Sequence, residues 1–222
     1  MGSLMIDGGY AEAVVCATSS HFSSAERQYR SPLEQGVQRP PYAQWTVTGA
    51  GAAVIAETGS GPYITHVTIG KVLDFGIKDA NNMGAAMAPA AVDTILAHLN
   101  ETGRRPEYYD LIITGDLGNV GKTIALDMLK KEGFDIAKVY DDCGSMIFDG
   151  EKQDTHAGGS GCGCAAVVLN GYFAKMMKKG NINKILLVAT GALLSPTTTW
   201  QGESIPCIAH AVAIERTIGV GV

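Results

Sequence analysis

The alternation of apolar and polar positions divides the chain into short strands and amphipathic helices. Three runs are almost wholly apolar and too short for a helix, a pattern typical of strands buried on both faces: Ala13–Ala17 (AVVCA), Gly51–Ala56 (GAAVIA) and Leu111–Thr114 (LIIT). Ile124, Met128 and Leu129 instead have the spacing of one helix face. The predicted elements are the end of a helix at residues 1–9, strands at 13–17, 51–56 and 63–69, a helix at 85–99, a strand at 111–114, helices at 123–131 and 164–177, and strands at 185–189 and 208–214. This alternation predicts a layered α/β fold.

Residues 18–50 form a connection between the first two strands that is long for a compact domain. A connection of this length is more often a functional loop than a simple link. It carries Arg27, Arg30 and Arg39 together with aromatic residues such as Trp45. Guanidinium forks and aromatic walls could bind a planar anion, but the loop could equally be solvated or paired with its own acidic residues. The sequence leaves both alternatives open.

Composition and charge exclude several classes of protein. The 222 residues include 28 Gly and only 18% charged residues, which favours tight turns over a solvated helical bundle. The net charge of −5 disfavours general nucleic-acid binding. No window reaches eighteen consecutive apolar residues, so the sequence predicts no membrane-spanning helix. The five scattered cysteines and the lack of a signal-like N-terminus predict an intracellular, reducing environment.

Two motifs resemble known binding-site sequences but lack the residue type or the spacing that those sites require. Residues 115–123 (GDLGNVGKT) follow a strand and open a helix as a phosphate-binding loop does, but Asp116 stands where that loop needs glycine. A carboxylate there would repel phosphate. Cys162 and Cys164 are separated by one residue, which is too close for a zinc-binding pair. We therefore predict no nucleotide hydrolysis, no metal site and no cofactor.

The five histidines separate into two groups by their predicted positions. His66 and His98 fall within a strand and a helix, and we interpret them as structural. His21, His156 and His210 fall near the ends of predicted elements, where functional side chains concentrate. The second group therefore supplies candidate ligand-binding residues.

Several long segments resemble, in order, the stage V sporulation protein AD family of spore-forming bacteria. They are ATSSHFSSAERQYRSPLEQGVQRP, VTGAGAAVI, NMGAAMAPAAVDTI, YDLIITGDLG, DDCGSMIF, HAGGSGCGCAAV and VATGALLSP. That family is similar to the thiolase and ketoacyl-synthase superfamily, which implies a duplicated, layered αβαβα fold. The resemblance further implies that residues 1–60 are the remnant of a truncated N-terminal half and that 61–222 are the C-terminal half. On this interpretation the chain begins inside the helix after the nucleophilic cysteine.

The resemblance implies an altered acyl-transfer site. Enzymes of the superfamily use a thiolate, a histidine and an asparagine or second histidine. In this sequence Asp116 matches the histidine-bearing turn, and residues 158–161 (GGSG) match the asparagine-bearing turn. The resemblance therefore predicts that this protein is not an enzyme. The alternatives are an acyltransferase whose catalytic half is missing from this chain and, less favoured, a purely structural interaction subunit.

The resemblance implies a role in moving dipicolinic acid, with calcium, during sporulation and germination. The expected setting is the forespore or spore, peripheral at the inner membrane beside membrane-embedded sporulation proteins, with no nucleic-acid partner and with a homodimer as one option for the full-length protein. Dipicolinate is a flat pyridine with two carboxylates, so arginines, histidines and a helix N-terminus suit it. The candidate ligand-binding residues are His21, Arg27, Arg30, Asp116, His156, Ser160, Gly161 and His210.

Overall fold

A computed structural model describes residues 1–22 and 40–218 as an α/β protein. The strands are β1 (Ala13–Ser20), β2 (Trp45–Thr46), β3 (Gly49–Ala56), β4 (Tyr63–Ile69), β5 (Leu111–Thr114), β6 (Tyr140–Asp142), β7 (Gly159–Ser160), β8 (Lys184–Ala192) and β9 (Cys207–Glu215). The helices are α1 (Gly2–Asp7), α2 (Met83–Thr102), α3 (Gly118–Lys131), α4 (Cys143–Met146), α5 (Cys164–Val168), α6 (Ala174–Lys179) and α7 (Pro196–Trp200). A π-helical segment, Leu169–Phe173, joins α5 to α6, and a 3-10 turn, Pro106–Tyr108, precedes β5.

The largest sheet has five strands in the order β4-β9-β8-β5-β6. β5 is parallel to both β6 and β8, whereas β9 is antiparallel to β8 and β4. The strands that begin at Leu111 and Lys184 are therefore interior neighbours, and the closing strand returns beside them. The sheet is therefore mixed, and the predicted strands at 111–114 and 185–189 lie in its interior. The carboxyl ends of the parallel strands meet at one edge, where open α/β sheets bind ligands.

The sheet separates two apolar cores. One core lies between the sheet and the pair α2–α3 and includes Ile95, Leu129 and Leu186. The other lies between the opposite face and α4, α5 and α6, and includes Ile113, Phe173 and Leu187. Beyond α5, the antiparallel pair β1–β3 adds a fourth layer. The described residues thus form four successive layers, αβαβ, of the expected αβαβα arrangement.

The β1–β3 pair differs from the expected buried strands. Successive residues alternate between the face that contacts α1 and α5 and a face open to solvent. Val15 and Val54 on the open face are 69% and 71% exposed. The prediction of burial on both faces was wrong here because nothing among the described residues covers the outer face.

Two further sequence expectations need correction. Helix α3 begins at Gly118, five residues before the predicted start. The sequence prediction assigned the glycines at 118 and 121 to a turn, whereas the structure includes them in the helix. A Cβ atom on Gly121 would lie 2.7 Å from the carbonyl oxygen of Gly84, so glycine lets α2 and α3 approach closely. Strand β6 was not predicted, because it has three residues and two of them are aspartates.

His98 has the structural role expected of it. Its ring is fully buried, with Nδ1 2.8 Å from the Thr68 hydroxyl and Nε2 2.6 Å from the Tyr109 hydroxyl. Burial, reinforced by the nearby Arg104 charge, lowers the pKa of His98 to about 4. The ring is therefore neutral at physiological pH.

In the described parts of the chain, no helix has the length and apolar character needed to cross a bilayer.

Candidate functional site

The candidate site centres on Asp116, in the turn between β5 and α3. Its side chain is 8% exposed and lies at the carboxyl end of the sheet. Ser160 Oγ and the Gly161 N–H both donate to Oδ2 at 2.9 Å. The Thr190 hydroxyl donates to Oδ1 at 2.6 Å. One carboxylate therefore joins the β5–α3 turn, the glycine-rich turn before α5 and strand β8.

A second carboxylate, Asp142, lies beneath the same turn and is fully buried. Its Oδ2 accepts the Thr114 hydroxyl at 2.7 Å and the Leu117 N–H at 2.8 Å. Its Oδ1 accepts the N–H groups of Gly118 at 2.8 Å and Ser145 at 3.0 Å. The side chain thus satisfies backbone donors at the starts of both α3 and α4.

The environment of Asp142 has opposing effects on its acidity. Burial has the largest effect and raises the pKa of Asp142, and the nearby Asp116 charge raises that pKa further. The hydrogen bonds that the Asp142 carboxylate accepts lower the pKa. The resulting pKa is about 6. The Tyr140 hydroxyl, 2.9 Å from the Thr114 hydroxyl, extends this buried network. At neutral pH Asp142 is therefore mostly a carboxylate that accepts four neutral donors.

Gln44 connects the end of the long loop to this site. Its Nε2 donates to the carbonyl oxygens of Asp116 at 2.8 Å and Gly159 at 2.7 Å. The side chain is buried, and β2 just beyond it pairs with β7. Sequence reasoning missed both Gln44 and Asp142. The one signal for Asp142 was a pair of aspartates directly before the small residues Cys143 and Gly144, which is typical of a helix cap.

The glycine-rich turn allows these segments to meet at short range. A Cβ atom on Gly144 would lie 2.2 Å from the carbonyl oxygen of Gly159. Gly161 has a φ of +121°, a conformation that side-chain-bearing residues rarely adopt. The glycines of this turn therefore serve close backbone approach and not only flexibility.

The structure brings together some of the candidate residues and separates others. Ser160 and Gly161 contact Asp116 directly. His21 follows Ser20, whose hydroxyl oxygen accepts the Gly163 N–H at 2.9 Å, so its backbone lies beside the glycine-rich turn. Phe22 then stacks on Trp45 with ring centroids 4.7 Å apart. Arg27 and Arg30 lie outside the described residues.

His156 and His210 have other partners. His156 Nδ1 is 2.9 Å from the Pro40 carbonyl oxygen, and Nε2 is 3.0 Å from Asp154. It therefore contacts the end of the long loop. His210, on β9, accepts the Gly70 N–H at 3.1 Å through Nδ1. Neither histidine is hydrogen-bonded to the Asp116 cluster in these contacts, so a role for them in ligand binding remains a prediction.

The two rejected motifs have structural explanations. Lys122 does not reach toward an open phosphate cradle, because its Nζ forms an ion pair with Asp141 at 2.7 Å. Cys164 is buried in the core and Cys162 is exposed. Among residues 1–22 and 40–218, no cluster of three or more histidine, cysteine or acidic side chains could hold a metal ion. The N–H and O–H groups directed at both carboxylates are also unsuited to a cation site.

The chemical capacity of the site follows from these contacts. The Ser160 hydroxyl and the Gly161 N–H, the anion-binding donors expected from the sequence, both donate to Asp116. A negative charge developing beside them would also meet the carboxylate itself. The site is thus polar and well hydrogen-bonded, but the Ser160 and Gly161 donors are already bonded to Asp116.

Sequence comparison identifies close relatives. Residues 1–215 match the family model of stage V sporulation protein AD. Stage V sporulation protein AD of Bacillus subtilis (strain 168) is 49% identical over 219 residues. That match covers 99% of this chain and 64% of the relative, so the chain spans less than two thirds of the relative's length.

Structural comparison finds condensing enzymes at low sequence identity. The 3-oxoacyl-[acyl-carrier-protein] synthase III of Aquifex aeolicus VF5 matches with a TM-score of 0.54 at 13% identity, over 96% of this chain and 60% of that enzyme. Cerulenin-bound OleA of Xanthomonas campestris matches with a TM-score of 0.54 at 16% identity, over 95% and 59%. These likenesses establish a thiolase-like fold. The family-model match over residues 1–215 and the 49% identity to the Bacillus subtilis protein show that the chain belongs to the stage V sporulation protein AD family.

Proposed function

We propose that this chain is part of a non-catalytic dipicolinate-binding component of the spore's dipicolinate transport system, acting in sporulation and germination. One observation carries the proposal. The position that resembles the catalytic histidine of condensing enzymes holds Asp116, whose carboxylate engages the donors of the neighbouring glycine-rich turn. Membership of a sporulation family supports the biological setting.

The engaged donors argue against thioester chemistry. Acyl transfer needs hydrogen-bond donors free to receive the negative charge that develops on the thioester oxygen. Here the Gly161 N–H and the Ser160 hydroxyl already point at a carboxylate. An ionised Asp116 cannot donate a hydrogen bond itself. We therefore favour binding over the alternative of an acyltransferase completed by another segment.

Dipicolinate needs recognition of a flat ring and two carboxylates. His21 follows Ser20 beside the glycine-rich turn, and the Phe22–Trp45 stack supplies aromatic rings against which a planar ligand would pack. The charge of Asp116 requires that the ligand carboxylates be held on the side away from it. We assign that role to the guanidinium groups of Arg27 and Arg30, which can form bidentate hydrogen bonds with carboxylates.

Partners and location are part of the same proposal. Dipicolinate is expected to be bound with calcium, and the protein to work beside membrane-embedded sporulation proteins at the spore inner membrane.

Thermal unfolding in the presence of dipicolinate tests directly whether the protein binds this ligand. A ligand at a hundredfold its dissociation constant stabilises the folded state by about 2.7 kcal/mol, which corresponds to a rise in Tm of roughly 5–11 °C at this size.

The controls make the thermal test specific. Pyridine-2-carboxylate, with one carboxylate fewer, should produce a much smaller shift. Arg27→Ala with Arg30→Ala should abolish the shift, and Arg30→Lys should weaken it because the bidentate fork is lost. An unchanged Tm at saturating dipicolinate, with and without calcium, would refute the proposal. Intact mass after incubation with acetyl-coenzyme A tests the alternative, since a turning-over acyl adduct would establish an enzyme.

A further inference from the structure

Two carboxylates lie close to one turn, and neither has a cationic partner among the described residues. Asp142 accepts the N–H groups of Leu117 and Gly118, the two residues that follow Asp116. Within residues 1–22 and 40–218, the hydrogen-bond donors to both carboxylates are neutral hydroxyl or backbone N–H groups. In the described parts of the chain neither aspartate forms an ion pair. Negative charge is therefore concentrated where the proposed ligand is itself an anion.

The other groups that face Asp142 do not titrate near neutral pH or are already paired. Asp141, next to it on β6, is paired with Lys122 of α3. Burial raises the pKa of the Tyr140 hydroxyl on β6 and of the Cys143 thiol on α4, so both stay protonated. In the part of the chain that the structure describes, the other charged group that acts on Asp142 from this turn is Asp116. Asp142 is therefore the group of this cluster best placed to change its charge in mildly acidic solution.

The contacts of Asp142 can accommodate a proton. If Oδ2 is protonated, its O–H can donate to the Thr114 hydroxyl oxygen 2.7 Å away. Thr114 can then turn its own proton toward the Tyr140 hydroxyl, 2.9 Å away. The Leu117 and Gly118 N–H groups still find oxygen lone pairs. The turn can thus keep its backbone contacts in both charge states.

We propose that Asp142 is a positioning residue that holds the Asp116 turn and takes up a proton when an anion binds there. The inference rests on the proposed function. An anion adds like charge above Asp142, which favours its neutral form. Binding and proton uptake are then linked, so the site binds its anion more tightly as the pH falls.

The expected effect is bounded by the uptake of one proton. Since the pKa of Asp142 without ligand is about 6, the linkage acts mainly between pH 7 and pH 5.5. One proton changes an affinity by at most tenfold per pH unit. We expect dipicolinate to bind about three- to tenfold more tightly at pH 5.5 than at pH 7.0 by isothermal titration calorimetry.

Two variants assign the linkage to this residue. Asp142→Asn should remove the difference between the two pH values. Asp149→Asn, which removes an exposed carboxylate paired with Lys152, should keep it. Dipicolinate binding with no pH dependence, or with the same dependence in Asp142→Asn, would overturn this inference and leave the proposed function intact.

A measurement without ligand tests the same residue even if Asp142→Asn does not fold. Carbon-13 NMR of the Asp142 carboxyl should show a titration near pH 6, and Asp116→Asn should lower that pKa because a like charge is removed. An Asp142 that stays ionised down to pH 4.5 would overturn the inference. Failure of dipicolinate to bind at either pH would overturn the proposed function and this linkage together.

Discussion

Replacement of Asp116 by alanine should destabilise the protein strongly, because it removes the acceptor that joins its own turn to two other segments. The lost hydrogen bonds come from Ser160, Gly161 and Thr190, at 2.6–2.9 Å. A hydrogen bond to a charged group contributes roughly 1.5–3 kcal/mol. The two hydroxyls can rotate to other acceptors, whereas the Gly161 N–H is fixed by the backbone. The expected loss in the free energy of unfolding is therefore about 3 kcal/mol, less than the sum of the three bonds.

The isosteric variant Asp116→Asn separates geometry from charge. Its amide oxygen can take the place of Oδ2 and accept from Ser160 and Gly161, while its NH₂ group donates to the Thr190 hydroxyl oxygen. We expect a loss of only about 1 kcal/mol. Urea unfolding followed by circular dichroism at pH 7 measures both changes, and Asp116→Ala should lower Tm by roughly 6–12 °C. Equal losses for the two variants, or a loss below 1 kcal/mol for alanine, would refute the shared-acceptor reasoning.

Two further predictions concern the core beneath the site. Because the pKa of His98 falls from about 6.5 unfolded to about 4 folded, its contribution to stability is complete above pH 6.5 and lost as the pH falls through 4. The free energy of unfolding of the parent should therefore drop relative to that of His98→Gln by about 3 kcal/mol between pH 7 and pH 4, and parallel profiles would contradict this. Gly121→Ala should cost about 2 kcal/mol, because the added Cβ meets the Gly84 backbone at 2.7 Å. Gly171→Ala, at a position with open space, is its matched control and should be neutral or stabilising, so similar denaturation midpoints for the two variants would refute the packing argument.

The sequence predicts the regular elements of the fold well, because their patterns are local. β4 and β5 match their predicted ranges of residues 63–69 and 111–114, and β8 contains the predicted strand 185–189. The start of α3 and the exposed face of β1–β3 were mispredicted. Both depend on long-range packing, namely the contact between Gly121 and Gly84 and the absence of a covering layer among the described residues. Local periodicity does not contain that information.

The candidate site was only partly predictable for the same reason. The resemblance pointed to Asp116 and the glycine-rich turn, and the structure places them in contact. It did not show that Asp116 uses the turn's own donors. Gln44 and Asp142 gave little signal, since their roles come from hydrogen bonds with backbone groups 24–115 residues away along the chain.

A crystal structure of this chain grown with dipicolinate would test the central claim most directly. The account predicts a planar ligand beside the Asp116 turn, with its carboxylates directed away from Asp116 and toward His21 and the loop that carries Arg27 and Arg30. The contacts from Ser160, Gly161 and Thr190 to Asp116 should persist in the complex. A ligand bound away from this turn, or a turn whose donors leave Asp116 to bind a thioester oxygen, would contradict it.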